Sequence, residues 1–90
     1  MRVARRYIIS GRVQGVGFRY FTEACAQREG VAGWVRNLPD RSVEVVAEGD
    51  ADQVERFERA VRIGPSGARV DRIDVDTTYP VAGETEFSIK

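Results

Sequence analysis

Gly11, Gly15 and Gly17 fall within seven residues, an apolar run ends among them, and Arg19 follows two positions after the last, where a helical pattern begins. Glycine reaches the positive-φ conformations that turn successive backbone N–H groups toward one point. A helix starting there adds its unpaired N–H groups and the positive end of its dipole. A guanidinium supplies a planar fork of donors matched to two phosphate oxygens. Together these describe an anion site. It is not a P-loop, because no Gly-Lys-Ser/Thr follows, and the glycine spacing is wrong for the dinucleotide fingerprint. A second candidate stands outside this stretch: Asn37, the single asparagine of the chain. Its side chain offers one carbonyl acceptor and one amide donor.

The chain contains no histidine. Catalytic triads, imidazole bases and most zinc sites are thereby excluded. Fourteen basic and fourteen acidic side chains cancel, which gives no electrostatic reason to expect nucleic acid or an anionic membrane as a partner. Cys25 is the lone cysteine and has no internal partner for a disulfide. No apolar run is long enough to span a membrane, and Tyr7-Ile8-Ile9 is too short for a signal-peptide core, so the expected compartment is the cytoplasm. Ninety residues, 42% of them hydrophobic, suit one compact domain over 1–90.

The elements that must hold the site follow from periodicity. Val3 to Val13 alternates as a strand, with Tyr7 and Ile9 on one face. Phe18 to Glu29 reads as a helix stopped by Gly30, with Phe21, Ala24, Cys25 and Arg28 on one side. Ala32 to Leu38 and Ser42 to Gly49 read as a hairpin around Pro39-Asp40, the second strand alternating Val43, Val45 and Ala47 against Glu44, Val46 and Glu48. Asp50, with Gln53 in capping-box position, opens a helix carrying Val54, Phe57 and Val61 on its apolar stripe and ending at Gly64-Pro65. Arg69 to Asp76 is strand-like, and the step from Val70 to Ile73 suggests a bulge. Tyr79 to Gly83 reads as a loop, and Phe87 and Ile89 mark a short last strand. This order predicts an α+β sandwich of the ferredoxin-like, split-βαβ kind: an antiparallel sheet, with a short terminal strand, and both helices on one face.

Two motifs together resemble a known family. Gly11-Arg12-Val13-Gln14-Gly15-Val16-Gly17-Phe18-Arg19 resembles the first acylphosphatase signature, and Gly33-Trp34-Val35-Arg36-Asn37 with Val43, Val45 and Gly49 resembles the second. The likeness runs through the second helix to Phe87-Ser88-Ile89 and so spans essentially the whole chain. It implies a ferredoxin-like fold and hydrolysis of carboxyl-phosphate mixed anhydrides, with no metal and no cofactor. It makes Arg19 the phosphate-binding arginine, Asn37 the residue that positions the attacking water, and Gln14, Gly15, Val16, Gly17 and Phe18 the backbone cradle. One departure is visible: Arg41 stands in the hairpin turn where the family usually has glycine, and a positive φ there would cost about 1 kcal/mol.

The chemistry agrees with the missing histidine. An acyl phosphate expels a carboxylate whose conjugate acid has a pKa of about 4, so no proton donor is needed at neutral pH. Phosphoryl transfer then depends on positioning and charge stabilisation. The expected partner is a small acyl phosphate, and the expected state is a free-standing monomer. Two alternatives without catalysis compete: an RNA-binding module of the same element order, and a small-anion sensor or a piece of a larger carbamoyl-transfer system. The strand that would stack bases in an RNA module, Ser42 to Glu48, has no aromatic and two acids. Cys25 reads as a small core residue and not a nucleophile. Tyr7, Tyr20, Trp34 and Phe57 read as packing residues, and Asp71, Asp74 and Asp76 as the exposed side of a strand.

Overall fold

In a computed structural model of the chain, which describes residues 1–80 and 85–90, the first alternating segment becomes strand β1 (Arg2–Arg12). There follow α1 (Phe18–Glu29), β2 (Ala32–Asn37), β3 (Val43–Asp50), α2 (Ala51–Ile63), β4 (Arg69–Thr78) and β5 (Phe87–Ile89). The loop expected from Tyr79 to Gly83 lies mostly outside the described residues.

The sheet order is β4-β1-β3-β2-β5. β1 pairs antiparallel with both β3 and β4, and β2 pairs antiparallel with β3. β1 and β2 therefore run parallel with β3 between them, the split arrangement expected from a helix-linked pair. The expectation of a wholly antiparallel sheet is corrected at one strand: β5 lies parallel to β2, pairing Gly33 with Phe87 and Val35 with Ile89. β4 and β5 occupy opposite edges, so after β4 the chain reverses direction and satisfies the free edge of β2, where Gly33 N–H donates to Glu86 O and Lys90 N–H to Val35 O, each at 2.9 Å. The suspected bulge is real. Ser10 pairs with Arg72 and Gly11 with Val70, leaving Asp71 as the extra residue on β4.

Tyr7, Ile9, Val35, Val43, Val45 and Ala47 point to the helix-covered face and are buried against Phe18, Cys25, Val54, Phe57 and Val61. The stripe of α2 is the one periodicity predicts, whereas that of α1 is rotated: Phe18, Thr22, Cys25 and Ala26 are buried, while Ala24 and Arg28 are exposed. Thr22 passes as a core residue because its hydroxyl donates to the Phe18 carbonyl at 2.8 Å, leaving its methyl group for packing. The opposite face of the sheet is held by charge. Glu44 accepts from Arg6 and Arg36, each at 2.6 Å, and Glu48 accepts from Arg2 at 2.8 Å. Burial by itself would raise the Glu44 carboxyl, but the hydrogen bonds from Arg36 and Arg6 outweigh it and keep the group below its ordinary value. Trp34 belongs to this face, its ring lying under Arg36 and Lys90 at 5.2 and 4.7 Å.

Candidate active site

Because β1 and β2 run the same way, their C-terminal ends meet at one end of the sheet. Val43 of β3 lies between Ile9 of β1 and Asn37 of β2, so Asn37 comes close to the segment that follows β1. That segment, residues 13–17, turns through two left-handed glycines, Gly15 at φ 76° and Gly17 at φ 77°. Gly17 is also the N-cap of α1, where it offers no side chain to the helix end, and the first turn contains no acid. Phe21 N–H donates to Gly17 O at 3.0 Å. The N–H groups of Phe18, Arg19 and Tyr20 precede the first intrahelical bond and are left for an external acceptor.

A cavity of ≈ 100 Å³ opens at this place, lined by Val13, Gly15, Gly17, Phe18, Arg19, Tyr20 and Asn37. Gly15, Gly17, Phe18, Arg19 and Asn37 are thus brought together as the sequence predicts. Gln14 and Val16, expected in the same cradle, do not line the cavity. The Gln14 amide donates instead to the carbonyls of Leu38 and Ser42, each at 2.9 Å, and ties the hairpin turn to the loop. Val16 packs against the core. Tyr20 is the residue sequence reasoning missed: read as packing, it is 70% exposed and borders the cavity. At 100° per residue it lies about 200° around the helix from Phe18, a signal available once Phe18 is known to face inward.

The cavity is electropositive by construction. No carboxylate, imidazole or thiol lines it. Arg19 is half-buried and makes no ion pair among the described residues. Cys25 is buried in the core, where desolvation pushes its thiol up and suppresses the thiolate a nucleophile would need. A larger cleft of ≈ 470 Å³, between the C-terminal part of α1 and β5, contains no cation among its lining residues and offers an anion no comparable set of donors. The turn at residues 38–42 closes with Arg41 N–H to Leu38 O at 3.1 Å and Leu38 N–H to Ser42 O at 2.9 Å. Arg41 sits at φ 76°, the left-handed conformation that the family's usual glycine would take without strain. Asp40 accepts the Ser42 hydroxyl and the Ser42 N–H, which hold its carboxyl below the ordinary value.

The arrangement can grip a tetrahedral or trigonal anion between main-chain donors and a guanidinium, with a carboxamide at its side. The acylphosphatase family profile matches residues 5–89. An acylphosphatase of Nitrobacter hamburgensis is 50% identical over 88 residues, covering 98% of this chain and 86% of its own. One of Acaryochloris marina is 50% identical over 74 residues, covering 82% and 80% respectively. The crystal structure of the Bacillus subtilis acylphosphatase superposes with a TM-score of 0.93 at 41% identity, with 98% of each chain covered. The ferredoxin-like sandwich, the two motifs and these likenesses agree over nearly the full length, and the chain belongs to the acylphosphatase family.

Proposed function

We propose that the chain hydrolyses acyl phosphates by a metal-independent, in-line attack of water, with Arg19 and the N–H groups of the cavity-lining loop and helix residues Gly15, Gly17, Phe18 and Arg19 holding the phosphoryl group and Asn37 orienting the water. The observation that carries this reading is the ≈ 100 Å³ cavity at the uncapped start of α1, lined by both Arg19 and Asn37. The water oxygen forms a bond to phosphorus as the bond from phosphorus to the acyl oxygen breaks. The carboxylate leaves with that electron pair, and the water proton passes to a phosphate oxygen or to solvent. A carboxamide is too weak a base to take it, and the cavity lining holds no carboxylate or imidazole that would. Charge developing on the phosphoryl oxygens meets fixed dipoles and a guanidinium, which need little reorganisation. The donor set repels a divalent cation, so the main-chain amides take the part that magnesium plays elsewhere. In this reading the protein works as a cytoplasmic monomer, which suits a buried, unpaired cysteine.

Phosphate release from acetyl phosphate, measured with excess EDTA, tests the reading. Activity persists in EDTA, and a strict magnesium requirement contradicts the cradle. Asn37→Ala lowers kcat about 10²-fold and leaves KM nearly unchanged, since it acts on the water and not on phosphate binding.

A further inference from the structure

Nine of the thirteen arginines are held by carboxylates, while among the described residues Arg12, Arg19, Arg41 and Arg59 form no ion pair. In a chain of zero net charge this uneven pairing is informative. Arg59 lies on the exposed side of α2. The other three gather at one end of the sheet: Arg19 in the cavity already described, and Arg12 and Arg41 on the rim of a second hollow of ≈ 380 Å³ formed with Gly11, Val13, Gln14 and Gly15. The two cavities share Val13 and Gly15, so the second begins where the first ends.

The nearby carboxylates do not serve these two arginines. Asp40, next in sequence to Arg41, is turned to the N–H and hydroxyl of Ser42, and Asp71, beside Gly11, binds Arg69 at 2.9 Å. The position of Arg41 is also fixed. Its turn is fastened to Gln14, itself part of the hollow, through the carbonyls of Leu38 and Ser42. Arg41 is the non-glycine residue at positive φ among those described, a conformation that persists only where the surroundings enforce it. Two guanidiniums that border a common hollow and pair with no described acid favour an anion there.

We propose that Arg12 and Arg41 form a second anion site that reads the acyl side of the substrate, so that acyl phosphates whose acyl group ends in a carboxylate or phosphate are preferred. The inference rests on the hydrolase reading above and names the substrate class for it. Both side chains are exposed, so the preference is modest and weakens with salt.

The test compares kcat/KM for 4-carboxybenzoyl phosphate and benzoyl phosphate, which differ by one distal carboxylate. The ratio is about tenfold in favour of the carboxylated substrate at low salt and shrinks at high salt. It falls to about one in Arg12→Gln/Arg41→Gly, a pair chosen because glycine suits the backbone at position 41 and position 12 is exposed. Arg59→Gln, which removes an equally unpaired charge elsewhere, keeps the wild-type ratio. Equal rates in the wild type, a ratio that survives the double substitution, or an equal loss in Arg59→Gln would each overturn the second site while leaving the hydrolase intact. Failure to hydrolyse benzoyl phosphate at all overturns the hydrolase reading itself.

Discussion

The two helices begin in opposite ways. α2 starts behind Asp50, which forms a capping box with Gln53, the Gln53 Oε1 accepting the Asp50 N–H at 3.2 Å. The Asp50 carboxylate also receives the N-terminal ammonium at 2.8 Å, and Asp52 adds a second acid to the first turn. α1 starts behind a left-handed glycine with no capping side chain and no acid, and places Arg19 in the first turn, the end of the helix least suited to a cation. By the rules of helix stability α2 is finished and α1 is not. Under the proposed function a phosphoryl group caps α1, and a side chain that completed the helix would compete with the substrate.

That contrast can be broken from either side. Arg19→Ala removes the guanidinium from the open helix end, and kcat/KM for acetyl phosphate falls about 10³-fold with little change in Tm, since the side chain pairs with no acid in the described structure. Gly17→Asp places a fixed negative charge at the same end. Open space surrounds the position, and aspartate tolerates a left-handed backbone better than most residues, so the fold persists while KM rises about 30-fold. The mirror experiment at α2 is Asp50→Ala, which lowers Tm by a few degrees without touching kcat/KM.

The last difference has a definite pH dependence. The Asp50 carboxyl is held below its ordinary value, first by the hydrogen bond from the terminal ammonium and then by its charge. A carboxyl depressed in the folded state stabilises fully above the unfolded value of 3.8 and loses that contribution as pH falls through the folded value. The Tm gap between wild type and Asp50→Ala is therefore constant near neutrality and closes in acid. A gap that widened in acid would show that the carboxylate is not the stabilising group.

Much of this was legible in the residue pattern because the signals are local. The alternation around Tyr7 and Ile9, the stripe Val54-Phe57-Val61, the Asp50 cap and the left-handed glycines each depend on neighbours a few positions away. The bulge at Asp71 was visible as a broken two-residue step between Val70 and Ile73. The reading failed where burial depends on distant partners. The sheet and α2 selected the face of α1 that carries Phe18, Thr22, Cys25 and Ala26, so Ala24 and Arg28 stayed exposed and Tyr20 fell outside the core. Trp34 was read as packing but stacks under Arg36 and Lys90 on the open face.

By itself the chain determined its elements, its glycine-rich loop and the donor chemistry of Arg19 and Asn37, since backbone freedom, capping and side-chain chemistry are properties of short segments. Only the tertiary structure decided that β1 and β2 finish at the same end of the sheet on either side of Val43, which brings Asn37 and Arg19 to the lining of one cavity near 100 Å³. It also decided which arginines meet an acid and which do not, and that β5 joins parallel to β2. Pairing across the sheet joins residues far apart in sequence, and no local period records that choice.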